Sequence, residues 1–171
     1  MARRTGPVTA PLQGSFRVEM LGSQESLDLD CGKFFTEYIL RCTWIERGGT
    51  PEIWDVVRRY REFSAVDILL REKYPSRAQL FPFLPSKKYI GSSLSADFVD
   101  KRQRDLGYYV TSILHSCPLL VQDEIIDTFL EIKRHILERA RDQERRRLGG
   151  SSLSASFASS NGSGTLLRVQ E

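Results

Sequence analysis

A chain of 171 residues, 40% hydrophobic and 27% charged, is long enough for one domain with a real core and has an ordinary globular composition. The formal net charge is only +3, but it is unevenly spread: from Arg58 to Arg104 there are 11 Lys or Arg against 5 Asp or Glu, so an anionic partner would meet this middle third. Cys31, Cys42 and Cys117 lie far apart with no CxxC, which argues against a disulfide framework or zinc site and for a reducing compartment. No apolar run approaches the roughly 18 residues of a spanning helix. The start, Met1-Ala2-Arg3-Arg4, has no hydrophobic region behind it, so a secretory signal is not expected and any membrane would be met peripherally, from the cytosol.

Residues 1–13 carry Gly6, Pro7 and Pro11 and read as a disordered lead-in. Phe16, Val18 and Met20 alternate with Ser15, Arg17 and Glu19, the pattern of a half-buried strand. Residues 22–32 read as a polar connection. Phe34, Thr36, Tyr38, Leu40, Cys42 and Trp44 line one side of a longer strand. Arg47-Gly48-Gly49-Thr50-Pro51 is a turn, and residues 53–59 are the return strand of an antiparallel meander.

At Arg58-Arg59-Tyr60-Arg61-Glu62-Phe63 the strand pattern becomes a helical one, with Phe63, Val66, Leu70 and Tyr74 at helical spacing until Pro75. Residues 80–91 hold Pro82 and Pro85 among apolar residues, an extended packed segment ending in a loop. A second helix starts near Ser95, a good N-cap. Its stripe is Phe98, Arg102, Leu106, Tyr109 and Ile113, and an arginine in the middle of an apolar stripe needs a partner. After Pro118 a last helix is expected to open near Asp123 and to bury Ile126, Phe129, Leu130, Ile136 and Leu137. Beyond it, Arg139, Arg141 and Arg145-Arg146-Arg147 are interspersed with Glu138, Asp142 and Glu144, as in a solvated, salt-bridged helix. The chain from Gly149 is rich in Ser and Gly, a flexible tail.

Catalysis finds little support. His115 and His135 have no Ser, Cys or carboxylate at triad-like spacing, and no phosphate-binding glycine motif or metal cage is present in the sequence. Anion binding is better supported. Arginine suits bidentate contact with phosphate oxygens, lysine a point-like one, and a tyrosine ring offers an apolar face to a sugar or inositol ring.

Three motifs in order, Arg58-Arg59-Tyr60-Arg61-Glu62-Phe63, Phe83-Leu84-Pro85-Ser86-Lys87, and Phe98-Val99 followed by Arg102 and Leu106, resemble those of the phox-homology (PX) family over residues 15–136. The resemblance implies an α+β fold, a three-stranded antiparallel meander packed against three to four helices, with a phosphoinositide head group between the two layers. It implies that Arg59 holds a 3-phosphate, Tyr60 stacks under the inositol ring, Lys87 and Arg61 meet the 1-phosphate, and Arg102 hydrogen-bonds the 4- and 5-hydroxyls. The stretch keeps Pro82 and Pro85 but lacks a proline directly before Lys87, so Lys87 and Lys88 both stand as the phosphate contact.

The expected organisation is a lead-in at 1–13, a head-group-binding domain at 14–137, a charged helical extension at 138–148 and a tail at 149–171. The expected function, by similarity to the sorting nexins, is recruitment to phosphatidylinositol 3-phosphate on the cytosolic face of endosomes, without catalysis, cofactor, metal or nucleic acid. Tyr89 and Ile90, beside two lysines and before Gly91-Ser92-Ser93, are expected to insert into the bilayer. The alternative is a module of the same fold with a weak or absent lipid site, working through the C-terminal helix or tail on a protein partner.

Overall fold

The computed structural model describes residues 13–87 and 95–153, with side chains described to residue 149. Three strands, β1 (Gly14–Asp28), β2 (Lys33–Glu46) and β3 (Glu52–Arg59), form one antiparallel sheet in the order β1-β2-β3. Each hairpin turns on a glycine with positive φ, Gly32 at 63° and Gly48 at 77°, where a side chain would strain the backbone. The register runs from Gly14↔Glu46 to Asp28↔Lys33 in one hairpin, with a bulge between Met20 and Gly22, and from Trp44↔Glu52 to Glu37↔Arg59 in the other.

The helices are α1 (Tyr60–Lys73), α2 (Ala96–Ser116), α3 (Glu124–Leu130) and α4 (Ile132–Leu153), with short 3-10 turns at Ala78–Leu80 and Pro118–Gln122. The apolar face of the sheet, Tyr38, Leu40, Cys42, Trp44, Trp54 and Val56, meets Phe63, Val66 and Leu70 of α1, Leu106, Tyr109 and Ile113 of α2, and Phe129 of α3 in one core. Phe63 sits edge-on to Phe129 at 5.0 Å and to Tyr38 at 6.2 Å, the arrangement aromatic quadrupoles favour. Burial pushes the Cys42 thiol up to about 12, so it packs as an apolar group. This is the expected α+β architecture.

Some expectations are corrected. Residues 22–28 are strand, not connection: β1 continues past its bulge because β2 pairs with it down to Asp28. Phe34, expected on the buried side of the strand, is 56% exposed. The last helix is two helices. Glu131, in the left-handed region at φ 55°, ends α3, and Asp127 Oδ1 accepts the Lys133 N–H at 2.8 Å to start α4.

The break leaves carbonyls without helical partners, and β3 satisfies them. Trp54 Nε1 donates to the Leu130 carbonyl and Arg58 Nε to that of Phe129, both at 2.8 Å. Ile136 is only half-buried and Leu137 is exposed. A first compact unit ends at Lys133 and a second begins at Arg134. Within the second, Arg134 pairs with Glu138, Arg145 with Asp142, and Arg147 with Glu144 through two bonds of 2.7 and 3.0 Å.

Candidate head-group site

Where β3 becomes α1, the chain opens a cleft of about 350 Å³ lined by Arg59, Tyr60, Arg61, Lys87 and Arg102 together with Asp28, Lys33 and Phe35. All five residues expected from sequence to contact a head group therefore share one concavity. Tyr89 and Ile90, and Lys88 with them, lie outside the described residues. A larger concavity, between β1 and α2, holds none of the five.

Arg59 is the last residue of β3 and the N-cap of α1, with extended backbone at φ −88° and ψ 156°. Its N–H donates to Glu62 Oε2 at 2.7 Å, so the helix start fixes its main chain. Its guanidinium carbon stands over Phe35, 3.7 Å from the ring centroid, with Nη1 4.0 Å from Asp28 Oδ2. The Asp30 N–H at 3.1 Å holds the Asp28 carboxyl below its ordinary value, helped by the Cys31 N–H and by Arg59. Glu37 is likewise held low by the Ser26 hydroxyl at 2.6 Å, then by Gln24 and Arg59. Arg59 is thus oriented by the Phe35 ring, with the Asp28 carboxylate nearby.

Arg102 is 7% exposed and lies between two aromatic rings, its Cζ 4.1 Å from the Tyr60 centroid and 4.2 Å from that of Phe98. Its Nη2 donates to the Ser86 carbonyl at 2.8 Å, while its buried Nε has no hydrogen-bond partner. The stripe arginine therefore has two stacking rings and one backbone carbonyl as partners, which leaves its charge only partly compensated. Tyr60 donates its hydroxyl to the Pro85 carbonyl at 2.5 Å, so its ring ties α1, the proline segment and α2 together.

That segment is fixed from beneath. Arg71 donates to the carbonyls of Ala78 at 2.7 Å and Pro82 at 2.8 Å, and is itself gripped by Asp67, which also accepts the Tyr109 hydroxyl. Arg61 and Lys87 are exposed at the rim. The first residues of α1, Tyr60 and Arg61, line the same cleft. Chemically, the cleft suits a small polyhydroxylated anion: guanidiniums at two depths, an aromatic wall, and a rim of mobile-stemmed cations.

Phe35, Asp28 and Phe98 were not foreseen as parts of the site. Phe98 was legible as the i−4 neighbour of Arg102 on the stripe. Phe35 and Asp28 belong to the other hairpin and reach Arg59 only through the β2–β3 and β1–β2 registers. Arg58, beside the site in sequence, is outside it, paired to Glu131 at 2.7 Å.

Comparison with known proteins bears on the same stretch. Residues 46–133, just over half of the chain, match the family model described as the PX domain. The sorting nexin MVP1 of Candida albicans is 36% identical over 77 residues, 45% of this chain and 10% of that protein. Sorting nexin MVP1 of Candida glabrata is 33% identical over 82 residues, 48% of this chain and 16% of that one. The chain thus spans a small part of these relatives' length.

Among solved structures, a designed CISK-PX domain superimposes with a TM-score of 0.54 at 31% identity, covering 67% of this chain and 97% of that one. The mouse SNX19 PX domain with bound sulphate ion shares the fold at a TM-score of 0.52 and 20% identity, covering 69% and 97%. The strand-to-helix junction that carries Arg59, the proline segment that carries Lys87 and the helix that carries Arg102 all fall inside the matched residues, and this chain belongs to the PX domain family.

Proposed function

We propose that this chain is a phosphoinositide-binding recruitment module whose cleft takes the head group of phosphatidylinositol 3-phosphate on the cytosolic face of endosomal membranes. In this reading Arg59 holds the 3-phosphate, Tyr60 packs against the inositol ring, and Lys87 and Arg61 meet the 1-phosphate. Arg102 donates to the 4- and 5-hydroxyls, which leaves little room there for further phosphates. The observation that carries it is Arg102, a buried guanidinium with an unpartnered Nε, facing the same small cleft as Arg59. A polyhydroxylated ring in that cleft would offer acceptors to the remaining N–H groups of the guanidinium, whereas simple surface attraction to anions would not require the arginine to be buried.

The sorting nexin relatives support a role in membrane trafficking, and the module recruits rather than catalyses. Tyr89 and Ile90 act as its bilayer anchor, and the helix beyond Lys133 or the tail offers a surface to a protein partner. One observation favours a second reading, a protein-interaction module with weak lipid binding: Asp28 stands 4.0 Å from Arg59 and offsets part of its charge.

Liposome sedimentation across the full set of phosphoinositides separates the two. The expected result is pelleting with the 3-monophosphate, reduced at least tenfold by Arg59→Gln. One lost charge-assisted bond of about 1.5–3 kcal/mol accounts for such a change. Pelleting with none of the lipids would favour the second reading. Affinity that simply rises with each added phosphate would sink the 3-phosphate assignment.

A further inference from the structure

Asp28 ends β1 where the first hairpin turns, and the turn fixes it twice. Its carbonyl accepts the Gly32 N–H at 2.7 Å, with Gly32 at positive φ. Its side-chain Oδ1 accepts the Asp30 N–H at 3.1 Å and the Cys31 N–H at 3.4 Å, the bonding by which an aspartate closes a turn.

The other carboxylate oxygen is left to the cleft. Oδ2 stands 4.0 Å from Arg59 Nη1, too far for a hydrogen bond, and no hydrogen bond from the described residues ends on it. Among the described residues lining the cleft Asp28 is the one acid, against Lys33, Arg59, Arg61, Lys87 and Arg102. Lys33 is also its register partner across the turn. A cleft that gathered anions by charge alone would gain nothing from a carboxylate pinned beside Arg59.

An ionised carboxylate only accepts hydrogen bonds, whereas a hydroxyl both donates and accepts. We propose that Asp28 sets head-group specificity: Oδ2 accepts a hydrogen bond from the ring hydroxyl adjacent to the phosphate on Arg59, and excludes rings that carry a second phosphate at that adjacent position. This role rests on Arg59 holding a phosphate, as proposed above. A guanidinium has five N–H donors, so a phosphate can be held through those turned away from Asp28. Substituents on neighbouring ring carbons lie side by side, so the group next to that phosphate meets the carboxylate next to Arg59. Arg102 cannot make this choice by charge, because a cation favours a phosphate over a hydroxyl. Asp28 reverses that preference by like-charge repulsion.

The test is calorimetry on the full chain with four soluble probes. They are inositol 1,3-bisphosphate, the 1,3,4- and 1,2,3-trisphosphates, which carry a phosphate next to position 3, and the 1,3,5-trisphosphate, which does not. Wild type should bind the bisphosphate best. Asp28→Asn removes the charge and keeps an oxygen to close the turn, so the urea midpoint should stay near that of wild type. It should raise affinity for at least one adjacent trisphosphate at least tenfold, and change affinity for the bisphosphate and the 1,3,5-trisphosphate less than threefold. Asp30→Asn removes a charge from the same turn at an exposed position outside the cleft lining, and should leave the order of affinities unchanged. Equal gains on all probes overturn the proposal, since Asp28 would then only offset the charge of Arg59 and Lys33. So does a gain from Asp30→Asn equal to that from Asp28→Asn. Wild type that prefers the bisphosphate, with Asp28→Asn keeping that preference in full, overturns the role of Asp28 and leaves the head-group reading standing. Wild type that binds none of the four overturns both.

Discussion

In an extended strand, consecutive side chains leave opposite faces, so Arg58 reaches the Phe129 carbonyl and Glu131 while Arg59 reaches Phe35 and Asp28. Arg58→Gln should cost about 1–3 kcal/mol in urea denaturation, because it strands a part-buried carbonyl and a carboxylate. Arg59→Gln should cost much less stability, its ion pair being long at 4.0 Å. The two arginines thus separate by assay, one through folding and the other through head-group affinity. Arg102 is the opposite kind of residue, one whose charge works against the fold. A buried guanidinium with an unpartnered Nε is poorly compensated. Arg102→Met should leave the thermal midpoint unchanged or higher while soluble inositol 1,3-bisphosphate affinity drops at least tenfold, measured by calorimetry. A large loss of stability would show that Arg102 is chiefly a bolt between Tyr60, Phe98 and Ser86.

At the scale of elements, the start of α3 depends on Asp123, whose side chain is 4% exposed and accepts the Ile125 N–H at 2.8 Å. Burial alone would raise its carboxyl, but Lys73 at 2.8 Å, the Tyr74 hydroxyl and the Ile125 N–H outweigh burial and hold it below the ordinary value. A carboxyl lowered by folding contributes stability that is present above its unfolded value. That stability is lost as pH falls through the folded one. Asp123→Ala should therefore destabilise by about 1–2 kcal/mol at neutral pH, the scale of a lost N-cap, and Asp123→Asn by less, since asparagine still caps. The difference between wild type and Asp123→Ala in urea midpoint should shrink below about pH 4. A difference that stays constant into acid would mean that the carboxylate charge contributes nothing.

For the whole molecule, the proposed bilayer anchor at Tyr89 and Ile90 can be tested separately from the proposed head-group cleft. No described helix is long and apolar enough to cross a bilayer. Lysine near an anionic surface contributes about 1 kcal/mol, whereas an inserted tyrosine or isoleucine contributes about 1.5–3 kcal/mol. Tyr89→Ser with Ile90→Ser should therefore weaken liposome pelleting strongly and leave soluble head-group affinity almost unchanged. If head-group affinity or thermal stability falls in step with pelleting, the pair belongs to the core and the anchor proposal is lost.

Alternation at Phe16–Met20 and at Tyr38–Trp44, the helical stripe through Arg102, and the Pro75 and Pro118 stops were all readable in the amino-acid order. Each is a local periodicity, and local periodicity records which face of an element is buried. The gathering of Arg59, Tyr60, Arg61, Lys87 and Arg102 was legible as well, through motifs that recur in a fixed order. What lies across from a buried face is not local information. The extension of β1 to Asp28 rests on pairing with β2, not on apolar alternation, so a polar stretch became strand. Glu131 interrupts a continuous helical pattern where Trp54 and Arg58, more than seventy residues away, donate to the carbonyls freed at the break. Phe35 and Asp28 reached Arg59 by strand register. Tertiary structure decided these points because hydrogen bonds and ring contacts between distant residues overrode the preferences of each segment alone.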